Sequence, residues 1–96
     1  MEIARELVPE TKRKPLFADP LKLPFGRNFT DHMFTMEYGP ASGWCRPRIK
    51  PYGPLALDPA ANVLHYSQEV FEGQKAYRSP RGDILMFRPL ENARRK

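Results

Sequence analysis

The sequence predicts an α+β chain of antiparallel hairpins with short helices, and three local patterns carry that expectation. From Phe29 to Tyr38, the side chains of Met33, Thr35 and Glu37 alternate with Phe34, Met36 and Tyr38, the period of two that a pleated strand imposes. Gln74 to Arg78 and Ile84 to Arg88 are strand-like runs on either side of Ser79-Pro80-Arg81-Gly82-Asp83, a turn signal between aromatic and aliphatic residues. Pro89 then opens a helical stretch, Leu90 to Lys96, where a first-turn proline costs no backbone hydrogen bond and Glu91 sits near the positive end of the helix dipole.

Taken in order, residues 1 to 24 are polar and interrupted by Pro9, Pro15, Pro20 and Pro24, so they read as an extended arm with at most a helical turn near Ile3 to Leu7. The strand ending at Tyr38 meets the turn cluster Gly39-Pro40-Ala41-Ser42-Gly43, and Trp44 to Ile49 returns as its hairpin partner. Pro47 cannot donate to a ladder, which confines that partner to an edge or a bulge. Pro51, Gly53, Pro54 and Pro59 make a second irregular stretch, in which Leu55 and Leu57 face alike and suit a short strand.

The run LHYSQEVFEGQKAYR, positions 64 to 78, is the most specific in the chain. Tyr66 and Phe71 stand an odd number of residues apart and cannot share one face of a strand. A short helix or turn ending at Gly73, where glycine tolerates positive φ, lets them converge on one cavity with a single hydroxyl in its wall. A helix end packing two core aromatics accounts for the same residues. Ile84, Leu85, Met86 and Phe87 form an unbroken apolar run, which implies burial on both faces and therefore another layer that a chain of 96 residues does not supply.

That length suits one small domain. Eleven prolines, about twice ordinary usage, fit a loop-rich unit with modest stability. The one cysteine, Cys45, excludes an internal disulfide and a cysteine metal set; it reads as a reduced thiol packed beside Trp44. No apolar stretch is long enough for a signal peptide or a membrane span, and Glu2, Glu6 and Glu10 argue against an acid-poor transit peptide, so the cytoplasm is the expected compartment. A net charge of +5 invites a nucleic-acid reading. The basic residues are dispersed apart from Lys12-Arg13-Lys14 and Arg94-Arg95-Lys96, and no recognition motif accompanies them, so they read as solvated surface without nucleic-acid or membrane partners.

Four segments in fixed order carry a family resemblance: FGRNFTDHMFTMEY at 25 to 38, GWCRPRIKPYGPLALDPAANVLHY at 43 to 66, LHYSQEVFEGQKAYR, and FRPLENARR at 87 to 95. Together they resemble the N-terminal portion of the branched-chain amino-acid aminotransferases, class IV pyridoxal-phosphate enzymes. The resemblance implies the incomplete small N-terminal domain of the D-amino-acid aminotransferase-like fold. It divides the chain into an arm, 1 to 24, and the start of that domain, 25 to 96. It also implies pyridoxal 5'-phosphate as cofactor, branched-chain L-amino acids and 2-oxoglutarate as substrates, and a homodimer.

Residue by residue, Arg95 matches the arginine that binds the cofactor phosphate, where a planar guanidinium fork suits two oxygens. Phe25, Tyr66 and Phe71 match the aromatics lining the aliphatic side-chain pocket, whose apolar walls discriminate by about 1 to 3 kcal/mol per methylene. Without the family, Arg95 reads as a solvated side chain and Phe25 as an anchor of the arm. No residue here is assigned as catalytic: the Schiff-base lysine of the family lies well downstream, and Lys75 matches a strand lysine outside the cofactor linkage. Lys96 replaces an apolar residue of the family on the buried side of the helix, and with the short final helix it suggests a truncated chain. The competing expectation is a non-catalytic dimerisation or interaction module derived from the same family.

Overall fold

The computed structural model describes residues 1–95. Two units separate by their internal contacts, Met1–Leu55 and Ala56–Lys96. Each combines a small sheet with short helical turns or helices, so the chain is α+β.

In Met1–Leu55 the sheet order is β1 (Ala4–Arg5), β3 (Gly43–Pro51), β2 (His32–Gly39). β2 and β3 form the hairpin expected from the alternation, with Gly39 opposite Gly43 and His32 opposite Pro51. Gly43 has φ +64°, a conformation that side chains with a Cβ rarely adopt, and so it sets the turn. The register slips between Thr35 and Glu37: Thr35 faces Arg48, but Glu37 faces Cys45. Arg46 and Pro47 thus oppose Met36 alone, a bulge in which the missing N–H of Pro47 breaks no ladder. Of the two positions open to that proline, the bulge is the one adopted, since β3 is the central strand. Pro47 is the one buried residue among those described.

The arm departs from expectation at its start. Ala4 and Arg5 form no helical turn; they pair parallel to β3 opposite Arg48 and Ile49, and Glu6 N donates to Ile49 O at 2.8 Å. A solitary helical turn fixes several dihedrals for one hydrogen bond, whereas an open strand edge offers ready partners to an extended segment. Further along, Val8 N donates to His32 Nε2 at 2.8 Å and Lys14 N to Asp31 Oδ1 at 3.0 Å. Lys14 Nζ lies over the Tyr52 ring, and that ring stacks on Phe29 with centroids 5.1 Å apart. These contacts tie the arm to the mouth of the hairpin.

In Ala56–Lys96, α1 (Asn62–Tyr66) leads into an irregular segment, then the hairpin of β4 (Ala76–Arg78) and β5 (Ile84–Met86), then α2 (Pro89–Arg94). Leu57, expected with Leu55 in a short strand, precedes α1 in irregular backbone, as does Leu55 in the other unit; the surrounding prolines deny both a ladder partner. α1 ends at Ser67, which takes the left-handed conformation with φ 50°. The turn expected at Gly73 is therefore made earlier, and Gly73 has no positive φ. His65 Nε2 lies 2.6 Å from Pro59 O and Asn62 Nδ2 donates to Gln68 Oε1 at 2.7 Å, which closes the chain around α1 before Gly73 is reached.

The β4–β5 turn closes as its residues suggest: Ser79 N donates to Asp83 O at 2.8 Å, and Gly82 has φ +91°. Pro89 occupies the first turn of α2, preceded by Arg88 at φ 44°. Lys96, expected on the buried side of this helix, lies outside the described residues. Among the described residues no hydrophobic side chain is fully buried, and Ile84 and Phe87 are 62% and 84% exposed. Among the described residues the apolar run that calls for cover on both faces is left 46% to 84% exposed, so its own unit covers it only in part.

Candidate functional site

The segment Glu72 to Gln74 is stitched to α2 by side-chain hydrogen bonds. Asn92, on α2, donates through Nδ2 to Glu72 Oε1 and to Gly73 O, both at 2.8 Å. Gln74 Nε2 donates to Pro89 O at 3.3 Å. Arg95 follows Asn92 by three residues and so emerges on the same side of the helix. Its Nη2 donates to Glu72 Oε1 at 2.5 Å and its Nε to Glu72 Oε2 at 3.2 Å. The Arg95 guanidinium, followed by the Asn92 amide, holds the Glu72 carboxyl below its ordinary value of 4.5.

The two neighbouring arginines are sorted between two carboxylates. Arg94 Nη1 pairs with Glu91 Oε1 at 2.7 Å, while Arg95 takes Glu72. A guanidinium carries five N–H groups. Glu72 occupies Nε and one side of Nη2, which leaves both Nη1 protons and the second Nη2 proton as another fork on the opposite edge. With the Arg95 side chain 65% exposed, that edge fits a phosphate group as a two-point donor.

The predicted pocket aromatics are all at the surface. Tyr66 closes α1 and is 80% exposed, and Phe71, beside Glu72, is 82% exposed. Both belong to the unit that contains Arg95. Phe25 belongs to the other unit, where it opens a turn with Gly26 at φ 70° and is fully exposed. Lys75 is an exposed residue just before β4. An open cleft of about 680 Å³ in Met1–Leu55, lined in part by Lys14, Phe29 and His32, includes none of the predicted site residues.

Sequence reasoning left Glu72 and Asn92 without roles. The signal was partly present, since Asn92 and Arg95 have helical spacing, but the partner of both comes from an irregular segment whose approach no local pattern announces. Among the described residues no group of three or more His, Cys, Asp or Glu side chains is placed to hold a metal ion, and no helix is long and apolar enough to cross a membrane.

No family model matches the chain. Individual proteins do. It is 53% identical over 93 residues to branched-chain-amino-acid transaminase 1 of Bacillus subtilis, a match covering 97% of this chain and 25% of that protein. It is 55% identical over 78 residues to the cytosolic branched-chain-amino-acid aminotransferase of Mus musculus, covering 81% of this chain and 19% of the other. The mitochondrial enzyme of the same name from Saccharomyces cerevisiae is 55% identical over 74 residues, 77% of this chain and 19% of its own length. The chain thus spans about a quarter or less of these relatives. With identities above half sustained over most of its length, the chain belongs to the branched-chain-amino-acid aminotransferase family and corresponds to its N-terminal portion.

Proposed function

We propose that this chain is the opening part of an enzyme that moves the amino group of leucine, isoleucine or valine to 2-oxoglutarate. The observation that carries the reading is the 53% identity to a transaminase over 93 of its residues. That these relatives are aminotransferases favours an enzyme over a non-catalytic interaction module. In this reading residues 1 to 24 are an arm and 25 to 96 the start of the small domain of the D-amino-acid aminotransferase-like fold.

Pyridoxal 5'-phosphate supplies the electron sink for amino transfer when bound. Arg95 contributes a phosphate contact through the guanidinium edge that Glu72 leaves open. Phe25, Tyr66 and Phe71 contribute apolar wall to the pocket for the branched side chain, and Tyr66 adds one hydroxyl. The exposure of all three rings in the chain by itself supports this role, because a surface aromatic gains stabilisation when a substrate or the rest of the protein covers it. The Schiff-base lysine is assigned to sequence beyond these residues, and the working enzyme to a cytoplasmic homodimer.

The test is direct. The purified 96-residue chain, supplied with pyridoxal phosphate, leucine and 2-oxoglutarate, is expected to give no glutamate, whereas the full-length polypeptide carrying this segment is expected to turn over. Glutamate formation by the short chain, with a reducible lysine adduct essential to it, refutes the division of labour. A full-length protein that binds pyridoxal phosphate but rejects all three branched amino acids refutes the substrate assignment.

A further inference from the structure

We propose that Glu72 is a positioning residue for Arg95: its carboxylate holds one edge of the guanidinium so that the opposite edge is presented to the cofactor phosphate. The inference rests on the aminotransferase reading and deepens it. Arginine has many rotamers, and a side chain 65% exposed at the end of a short helix has little packing to choose among them. Glu72 supplies the choice. It accepts from Nε and from Nη2, at 3.2 and 2.5 Å, a two-point contact that fixes the plane as well as the reach of the fork.

The carboxylate is itself held. Asn92 donates to Glu72 Oε1 and to the carbonyl of the next residue, each at 2.8 Å, and Gln74 reaches the backbone at the start of α2. Glu72 is the less exposed partner, its side chain 23% accessible against 65% for Arg95. It therefore has the character of a fixed anchor, and Arg95 that of the group being aimed. Glu91 engages Arg94, so the competing neighbour is kept from the same carboxylate.

Two effects of a negative charge beside a phosphate site oppose each other. Preorganising the fork strengthens phosphate binding by removing ordering cost at the moment of association. The carboxylate's own charge repels the phosphate and weakens it. A two-point contact preserves most of the guanidinium's donor capacity on its far edge, so the ordering effect is assigned the larger share. The sign of the change on neutralising Glu72 decides between them.

The experiment uses the full-length polypeptide carrying this segment, stripped of cofactor and titrated with pyridoxal phosphate and, separately, with pyridoxal, which lacks the phosphate. Glu72→Gln is expected to weaken pyridoxal phosphate binding on the order of 10-fold and to leave pyridoxal binding within about 2-fold. Glu72→Asp keeps the charge but shortens the reach, and should fall between. If Glu72→Gln does not fold, as judged by circular dichroism, the Glu72→Asp protein carries the comparison. Arg94→Ala should behave as the unaltered protein. Unchanged or tighter binding of pyridoxal phosphate to the folded Glu72 variants overturns the proposal, as does equal weakening of pyridoxal. An unaltered protein that binds no pyridoxal phosphate overturns the aminotransferase reading and this proposal with it, whereas the variant outcomes just named overturn this proposal alone.

Discussion

Arg95 and Glu72 meet edge to edge, Nη2 on Oε1 at 2.5 Å and Nε on Oε2 at 3.2 Å, and so join the irregular segment after α1 to the end of α2. Phe71 is covalently next to Glu72. The residue proposed for the substrate pocket and the arginine proposed for the phosphate are thereby linked through one carboxylate, within one unit of the chain.

This link should respond to acid. The Glu72 carboxyl is held below its ordinary value of 4.5, first by the Arg95 hydrogen bond and then by that of Asn92. A carboxylate whose folded-state pKa is depressed contributes stability that is present above the unfolded value and lost as pH falls through the folded one. The contact should therefore persist at pH 4.5 and release only as pH falls further, through the depressed folded-state value. An NMR titration of the Arg95 Nε–H signal should show the transition in that acid window, and Glu72→Gln should abolish it. A transition near neutrality would contradict the assignment.

Asn92 should matter more than an exposed helix residue ordinarily does. Both protons of its amide are used, on Glu72 Oε1 and Gly73 O. Asn92→Ala removes two hydrogen bonds at about 1 kcal/mol each net and should destabilise the full-length protein by roughly that sum. Asn92→Asp should cost more, because it replaces a donor to Glu72 with a second carboxylate. Urea unfolding of the three proteins ranks them; equal midpoints would remove the bracing role.

Legibility in the sequence followed the range of the interactions. Both hairpins and α2 were readable because alternation, turn residues and a first-turn proline act over a few positions. The pairing of Ala4 and Arg5 with β3 was not, since two residues carry no period and their partners lie at Arg48 and Ile49. Gly73 was an attractive place for a helix to end, yet Ser67 took the left-handed conformation because side-chain contacts at Asn62 and His65 closed the chain there. Arg95 could be singled out by family resemblance, but its contact to Glu72 spans 23 positions and follows from tertiary placement alone.

Exposure of the β4–β5 hairpin sets a contrast between the short chain and the whole protein. Ile84 and Phe87 are 62% and 84% exposed, and among the described residues no hydrophobic side chain is fully buried. By itself the 96-residue chain should bind a hydrophobic dye such as ANS strongly and unfold over a broad range of urea. Ile84→Asp should lower dye binding in the short chain but destabilise the full-length protein by about 2 to 4 kcal/mol, if its remainder covers this face. A sharp, dye-silent transition in the short chain would refute the expectation.

The bulge in β3 offers a test in which small opposing terms must be weighed. Arg46 has φ 52°, and its Nη1 pairs with Glu37 Oε2 at 3.0 Å, with both side chains more than half exposed. Left-handed backbone costs a non-glycine residue about 1 to 2 kcal/mol. The exposed ion pair returns about 0.2 to 1 kcal/mol, so strain equals or outweighs attraction at this position. Arg46→Gly removes the strain and the pair together, but adds freedom to the unfolded chain worth about 0.5 to 1 kcal/mol. Its net effect should lie within about 1 kcal/mol of zero. Arg46→Val keeps the strain, worsens it through β-branching and loses the pair, and should destabilise the full-length protein by about 1 to 2 kcal/mol. Denaturant midpoints of the two variants measure the difference, and a tolerated valine beside a costly glycine would show that Arg46 does not hold this conformation in the working protein.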